Sequence, residues 1–355
     1  MIFPPNDAAH DDASAPRPIR VAIVDDSLTV RTVFSRIIST APDCIIAAQG
    51  RSGEDAVTIA RTTPCDVLLM DLEMPGIGGL AALPNILSCA DAPKVLVISS
   101  LAKDGAVATM TALAMGAADT LAKPSPGAFG ESYAATLLSR VRALAGQDAP
   151  ARTVRRTRDR GRKDARVIAL AGSTGGIHAL SQFLKSLPAR VDQPILIAQH
   201  LPDSFVPVFA RQVASASGRD TRIAQRDMVL EPRSITVAPG DAHLLLDREG
   251  VDFIAELDRT PAKSGCWPSA DPLFASVAKT TRGEACAVVL SGMGRDGVDG
   301  ARALHAAGGT ILAQDAETAS VWGMPRAVVE AGLASDVLPP EALAHAVGEL
   351  AKLPT

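Results

Sequence analysis

The feature that most constrains this chain is an alternation of short apolar runs with stretches of helical length, which occurs in two separate blocks. In the first block the apolar runs are IRVAIV, CIIAAQ, DVLLM, KVLVIS and DTLA. Alternating strands and helices form a parallel sheet that is covered by helices on both faces. The block therefore predicts a doubly wound (βα)5 domain over residues 19–145.

The second block has the same rhythm and starts at Arg166. Its apolar runs include RVIALAG, PILIAQH, ACAVVLS and TILAQ. Residues 221–257 differ, because short alternating runs are separated there by turns such as APGDAH, a pattern that favours antiparallel strands. We predict a second α/β domain over 166–355, with a mainly parallel Rossmann-like sheet and an antiparallel edge.

Two segments lack the apolar content of a folded core. Residues 1–18 are rich in Asp, Ala and Pro and are predicted to form a disordered tail. Residues 146–165 contain many arginines and are predicted to be a basic flexible linker. The linker is interpreted as a solvated tether, although its arginines could instead bind an acidic partner or the neighbouring domain.

Composition excludes several classes of function. A net charge of -4 provides no overall attraction to nucleic acid or to an anionic membrane, and 3% aromatic residues is too few for base stacking. The five cysteines include no C-x-x-C pair, which argues against a disulfide framework or a cysteine metal site. Without a signal peptide pattern or an apolar run long enough to span a bilayer, the chain is expected to be cytoplasmic.

Charged and polar residues stand where the predicted strands of the first block end. Asp25 and Asp26 follow the first strand, Asp71 ends the third, Ser99 the fourth, and Lys123 follows the fifth. The carboxyl ends of parallel strands form one crevice, so these side chains should lie together. Crowded carboxylates predict a Mg²⁺ site, in which one Asp could act as a nucleophile toward a phosphoryl donor. The alternative, that all are solvated loop carboxylates, does not explain why each lies at a strand end.

The segments VDDS, LLMDLEMPG, VISS and LAKPS make residues 19–145 similar to the response-regulator receiver family. The resemblance implies that a histidine kinase phosphorylates Asp71. It also implies a switch hydroxyl on Ser99 and a phosphate-sensing role for Lys123. The implied metal ligands are Asp25, Asp26, Asp71 and the backbone of Glu73.

The chain departs from the receiver pattern at two positions. Thr120 stands three residues before Lys123, where many receivers have an aromatic residue that reorients on activation. We therefore expect the signal to travel through the face formed by residues 104–118. Gly78 replaces a common Asp at a position that is usually exposed, and little consequence is expected.

The motif AGSTGG, residues 171–176, joins a strand to a helix in the second block. A helix N-terminus offers free N–H groups to an anion or an oxyanion. Dinucleotide binding is one interpretation, but the G-x-G-x-x-G fingerprint is absent. A purely structural turn is the second interpretation, and a nucleophilic Ser173 is the third.

A nucleophilic serine needs a base, and His200 at the end of the next strand is the first choice, with His243 the second. Asp296, in the glycine-rich turn of VVLSGMGRDG, is the predicted orienting acid, with helix capping as the alternative. Ser, His and Asp at three parallel strand ends satisfy the geometry of a catalytic triad. Backbone N–H groups near Thr174 and Met293 are the predicted oxyanion hole.

The series AGSTGG, AQHLPDSF, APGDAH, PSADPLF, LSGMGRDGVDGA and VWGMPRAV resembles the catalytic domain of the protein-glutamate methylesterase family of bacterial chemotaxis. The resemblance implies a triad of Ser173, His200 and Asp296 that needs no cofactor. Its implied substrates are γ-glutamyl methyl esters, and also glutamines, on the cytoplasmic helices of chemoreceptors, and its phosphodonor is the chemotaxis histidine kinase. One departure is Trp267, next to Cys266, where the family usually has an arginine.

The alternative function is a non-enzymatic response regulator, whose second domain would bind a protein or a nucleotide through AGSTGG. An intact set of triad residues argues against it. A DNA-binding output is weaker still, because residues 166–355 contain no helix-turn-helix with a basic recognition helix. No nucleic-acid partner and no insertion into a membrane are expected.

Overall fold

The computed structural model describes residues 17–99, 103–123, 130–146 and 164–351. Most of the predicted tail (1–18) and most of the predicted linker (146–165) lie outside the described residues. Among the residues that are described, no helix has both the length and the apolar character needed to cross a bilayer.

The first block forms a five-stranded parallel sheet of order β2-β1-β3-β4-β5. Five helices alternate with these strands. The elements are β1 (Ile19–Val24), α1 (Leu28–Ser39), β2 (Cys44–Gly50), α2 (Gly53–Thr62), β3 (Val67–Asp71), α3 (Gly78–Leu87), β4 (Lys94–Ser99), α4 (Lys103–Met115), β5 (Asp119–Ala122) and α5 (Glu131–Leu144).

The second block contains a seven-stranded parallel sheet of order β15-β14-β13-β6-β7-β10-β8. Its strands are β6 (Val167–Gly172), β7 (Ile195–Gln199), β8 (Thr221–Ile223), β10 (Ile235–Val237), β13 (Ala285–Val289), β14 (Thr310–Gln314) and β15 (Asp336–Leu338). Its helices are α6 (Gly176–Ser186), α7 (Val206–Ser217), α8 (Ala270–Thr281), α9 (Val298–Ala306), α10 (Met324–Glu330) and α11 (Pro340–Leu350).

The antiparallel strands form a small sheet of their own. Its order is β11-β12-β9, with β9 (Met228–Val229), β11 (His243–Glu249) and β12 (Asp252–Asp258). The predicted fold class, two α/β domains with mainly parallel sheets, is confirmed. The predicted antiparallel edge of the second sheet is wrong, because the antiparallel strands pair only with one another in this separate sheet. The two edge strands of the seven-stranded sheet are β8, which pairs in parallel with β10, and β15, which pairs in parallel with β14.

Local sequence explains why these elements form. All six residues of β6 are buried, which fits an apolar run in the middle of a sheet covered on both faces. Ser27 caps α1 by accepting the N–H of Val30, and Ser52 caps α2 by accepting the N–H of Asp55. Each of these two helices therefore begins close to the end of the preceding strand, at the carboxyl edge of the five-stranded sheet.

The two blocks pack against each other in this structure. Helix α4 lies against α6 and α7, and Nδ1 of His178 is 3.1 Å from the carbonyl oxygen of Ala114. Val321, in the loop before α10, packs into the core of the first block. The first block therefore contacts the carboxyl edge of the second sheet, where AGSTGG lies.

Candidate active site and phosphorylation site

The acidic residues of the first block lie together as expected from the topology. Asp25, Asp26 and Asp71 each offer a carboxylate oxygen, and these atoms lie within 4.8 Å of one another. The Lys123 ammonium lies 2.6 Å from Oδ2 of Asp71 and 2.9 Å from Oδ2 of Asp25. Burial raises the pKa of Asp71, although the hydrogen bond from Lys123 opposes that rise.

Three neighbours of this pocket connect it to its surroundings. The backbone N–H of Glu73 donates to Oδ1 of Asp71 at 3.2 Å, so the Glu73 backbone lies next to the phosphorylation candidate. Ser99 is buried at the end of β4, and its hydroxyl is 3.4 Å from that of Thr120. Thr120 is thus hydrogen-bonded to the predicted switch hydroxyl.

Glycine is favoured at position 78 by its backbone conformation, which the sequence alone did not reveal. Its φ is +67°, in the left-handed region that favours glycine, and it begins α3. The residue is half-buried, whereas the expectation was an exposed position. An Asp here would be strained, so glycine suits this turn.

The second site surrounds Ser173, which follows β6. Its backbone N–H donates to Ser291 O at 3.0 Å, and its carbonyl accepts from Nε2 of Gln199 at 2.8 Å. Gly292 lets the loop after β13 approach closely, because a Cβ there would lie 2.9 Å from Cβ of Ser173. The nucleophile candidate is therefore held by contacts from two neighbouring strand ends.

His200 and Asp296 come together although they are 96 residues apart. Nε2 of His200 is 2.8 Å from Oδ2 of Asp296. The same carboxylate accepts the Ser269 hydroxyl at 2.6 Å and the backbone N–H of Ala270 at 2.7 Å. Asp296 thus receives three donors, including one from the N-terminus of α8.

Electrostatics strengthen the His200–Asp296 pair. Burial alone would lower the pKa of His200, but the hydrogen bond to Asp296 and the contact with Cys266 outweigh it and raise the pKa to about 9. Burial alone would raise the pKa of Asp296, but the bonds from His200, Ser269 and Ala270 lower it to about 2. The carboxylate is therefore ionised at any physiological pH and favours the charged imidazole.

The second-choice base, His243, has a different environment. It is fully buried, Nδ1 accepts the N–H of Ser269 at 2.9 Å, and Nε2 is 3.0 Å from Thr260 O. The Trp267 ring stacks on it at a centroid distance of 4.3 Å. His243 and Trp267 therefore support the loop that carries Ser269, and His200 is the better candidate for the base.

A cavity of about 280 Å³ lies between the two blocks. Ser173 and His200 line one side of it, and Asp119 and Arg140 line the other. The buried Thr174 hydroxyl donates to Oδ2 of Asp119 at 2.8 Å, and Arg140 forms an ion pair with the same carboxylate. The first block therefore covers the side of the second sheet on which the nucleophile candidate lies.

Sequence reasoning missed several residues of this site. Ser269 had a signal, because it precedes an apolar helix as an N-cap, but its contact with Asp296 depends on tertiary packing. Cys266, Asp119 and Arg140 had no local signal. The fold brings these three residues to the site from segments that are far apart in the sequence.

Comparison with known proteins agrees with this architecture. A family model described as CheB methylesterase matches residues 168–347, and one described as response regulator receiver domain matches residues 21–129. Similar proteins include a protein-glutamate methylesterase/protein-glutamine glutaminase of Maricaulis maris, 36% identical with 90% of this chain and 92% of that protein covered. Another, from Caulobacter vibrioides, is 42% identical, with 90% and 95% covered.

A solved structure is also similar. The catalytic domain of CheB methylesterase from Thermotoga maritima is 32% identical, with a TM-score of 0.51, and the match covers 52% of this chain and 98% of that domain. The family models match the two blocks in the same order as the two sheets. The chain therefore belongs to the CheB methylesterase family, with a receiver domain preceding the methylesterase domain.

Proposed function

We propose that this chain is a phosphorylation-activated protein-glutamate methylesterase that uses Ser173, His200 and Asp296 to hydrolyse γ-glutamyl methyl esters on chemoreceptors. The observation that carries the proposal is the His200–Asp296 hydrogen bond beside a cavity that Ser173 also lines. Relatives that share over a third of their residues with the chain are named for this activity and for glutamine deamidation. We extend both activities to this chain.

The proposed mechanism begins with the histidine tautomer. Because Nε2 of His200 lies 2.8 Å from Oδ2 of Asp296, that nitrogen donates a proton to the carboxylate, and Nδ1 carries the lone pair. Nδ1 accepts the Ser173 hydroxyl proton as Oγ attacks the ester carbonyl. Asp296 fixes the tautomer and stabilises the imidazolium that results.

The tetrahedral intermediate carries a negative oxygen that needs donors. The N–H groups of Ser173 and Gly292 already donate, to Ser291 O and Val321 O. We propose that the N–H groups of Thr174 and Met293 hold the oxyanion instead, each contributing roughly 3–4 kcal/mol. Methanol leaves with the proton from His200, and ammonia would leave in the same way from a glutamine. Water, deprotonated by His200, then attacks the acyl-serine and releases the glutamate.

Phosphorylation is proposed to occur on Asp71. The all-oxygen cluster of Asp25, Asp26 and Asp71 fits the hard Mg²⁺ that receiver domains use, and the Glu73 carbonyl would complete the protein ligands. Bound Mg²⁺ would offset the repulsion among these carboxylates and an incoming phosphoryl group. Lys123, already 2.6 Å from Asp71, would pair with a phosphoryl oxygen.

We propose that the docked receiver restrains the catalytic site until Asp71 is phosphorylated. The supporting contacts are the shared cavity and the buried hydrogen bond from Thr174 to Asp119. Ser99 bonds to Thr120, the residue next to Asp119. If Ser99 turns toward the phosphoryl group, Thr120 loses that partner, and the strand that presents Asp119 to Thr174 shifts. Helix α4, packed on α6 and α7, offers a second route.

The partners follow from the two proposed reactions. The substrates would be methylated cytoplasmic helices of chemoreceptors, and the phosphodonor a chemotaxis histidine kinase. Both partners would place the reaction in the cytoplasm. Esterase turnover itself is proposed to proceed through the triad without a cofactor.

The test is methanol release from methylated receptor membranes, with Mg²⁺ and a small phosphodonor. We expect Ser173→Ala to lower the rate by about 10⁶-fold, as loss of a triad nucleophile does elsewhere. Ser181→Ala, a half-buried serine on α6, is the matched control and should retain activity. Substantial methanol release by a folded Ser173→Ala protein would refute the assignment.

A further inference from the structure

The half-buried thiol of Cys266 lies beside the catalytic pair, in the loop before α8. Its Sγ, one ring nitrogen of His200 and one carboxylate oxygen of Asp296 all lie within 4.8 Å of one another. The proposed mechanism uses His200 and Asp296 but has no role for this thiol. A sulfur, a nitrogen and an oxygen atom that can each bind a metal ion therefore lie close together.

This donor set differs in kind from the one in the receiver domain. Thiolate, imidazole and carboxylate are the ligands of Zn²⁺, and three protein ligands with an open fourth position are common in zinc sites. Carboxylates alone, as at Asp25, Asp26 and Asp71, suit Mg²⁺. The two clusters should therefore select different cations.

The surroundings hold these ligands in place. Asp296 accepts the Ser269 hydroxyl and the Ala270 N–H, which is the kind of outer support that orients metal ligands. The Cys266 N–H donates to the Ser264 hydroxyl at 3.3 Å, and the next residue, Trp267, stacks on buried His243. The loop is thus anchored on both sides of the thiol.

An ion could reach the cluster without displacing the receiver. A cavity of about 400 Å³, separate from the one between the domains, is lined by Cys266, Met293 and Asp296 among other residues. Metal–ligand bonds of about 2.0–2.3 Å would require small adjustments of the three side chains, in which Nε2 of His200 and Oδ2 of Asp296, now 2.8 Å apart, separate slightly to admit the ion.

We propose that Cys266, His200 and Asp296 bind a soft divalent cation of the zinc class, and that the bound cation inhibits the esterase. The cation takes up the Asp296 carboxylate and replaces the proton on Nε2 of His200, the nitrogen that faces Asp296. The neutral imidazole then carries its proton on Nδ1, which can no longer accept the Ser173 proton, and the Cys266 thiol releases its own proton on binding. Inhibition rests on the proposed function, whereas binding at the cluster does not.

The binding test uses the full chain with excess Mg²⁺, so that the receiver cluster is occupied. Titration with Cd²⁺ should produce a sulfur-to-cadmium charge-transfer absorption that saturates at one ion per chain. Cys266→Ser should remove it, and Zn²⁺ should bind that variant roughly tenfold or more weakly, since even the loss of an outer partner of a metal ligand costs about 10- to 100-fold in affinity. Cys89→Ser removes a half-buried thiol of the receiver and is the matched control. Equal binding by Cys266→Ser and the unaltered chain would overturn the site.

The activity test adds Zn²⁺ to the methanol-release assay, with each variant compared with its own metal-free rate. We expect inhibition that a zinc-selective chelator reverses, and a roughly tenfold or greater rise in the required Zn²⁺ for Cys266→Ser but not for Cys89→Ser. Binding through Cys266 without inhibition would overturn the inhibitory role. Cadmium binding lost in Cys266→Ser, in a chain without metal-free esterase activity, would support the site and refute the proposed function instead.

Discussion

Both sheets place acidic side chains at their carboxyl edges, but the two acidic clusters differ in how their charge is compensated. In the receiver, Asp71 and Asp25 share one cationic side chain, Lys123, and further positive charge can be added. In the methylesterase domain, Asp296 is buried and already has three donors, His200, Ser269 and Ala270. The first arrangement is suited to a change of charge, and the second is suited to holding its geometry fixed during a reaction.

The largest effect on the methanol-release rate should come from a substitution at Asp296, in the methylesterase domain. Asp296→Asn keeps the shape but removes the charge that holds the His200 tautomer. We expect the methanol-release rate to fall by roughly 10⁴-fold, with little change in the unfolding temperature. Asp299→Asn, an exposed neighbour, is the control. A decrease of only a fewfold would mean that Asp296 merely supports the N-terminus of α8.

A substitution in the acidic cluster of the receiver should have a smaller effect on the methanol-release rate. Asp71→Asn removes the proposed phosphate acceptor, so stimulation by a small phosphodonor and Mg²⁺ should disappear while unstimulated activity remains. Coupling of this kind is worth about 1–3 kcal/mol, or about 5- to 150-fold in rate. The test is to measure the methanol-release rate with and without phosphodonor, with Asp91→Asn, a change at an exposed residue of the receiver, as the control. Full stimulation of the Asp71 variant would contradict the assignment.

Removal of a single hydroxyl, that of Thr174, should weaken the contact between the receiver and the methylesterase domain. Thr174→Val keeps the side-chain shape but removes the donor to Asp119. A hydrogen bond to a charged group contributes about 1.5–3 kcal/mol. Its loss should weaken the docked state even though Arg140 still pairs with Asp119, and unphosphorylated activity should rise about fivefold or more. Thr281→Val, buried within α8 and bonded to Val277, is the matched control. Unchanged or lower activity of Thr174→Val would argue against restraint through this bond.

The smallest expected effect is a displacement of the pH profile. His200 must be neutral to accept the Ser173 proton, and its pKa is raised to about 9. The value of kcat/KM should therefore increase with pH through an inflection well above the ordinary histidine value of about 6.5. Cys266→Ser removes one cause of the raised pKa and should move the inflection downward. An inflection near 6.5 in the unaltered chain would show that Asp296 does not stabilise the charged imidazole.

Much of this account could be predicted from local sequence. Buried strands such as VIALAG are continuous apolar runs, and polar residues at their ends pointed to both candidate sites, because parallel strands end at one edge. The antiparallel strands were predicted but not their separation into a second sheet, since pairing partners are not encoded locally. Asp119, Ser269 and Cys266 could not be assigned, because their partners lie 27 to 66 residues away along the chain.

The central claim is that the docked receiver restrains an otherwise complete catalytic site. The most direct test compares methanol release by the unphosphorylated chain with release by residues 164–355 alone, at equal concentration and on the same receptor membranes. A related catalytic domain has been crystallised by itself, which supports the use of the fragment. We predict that the fragment is several-fold faster. A folded fragment no faster than the unphosphorylated chain would contradict the account.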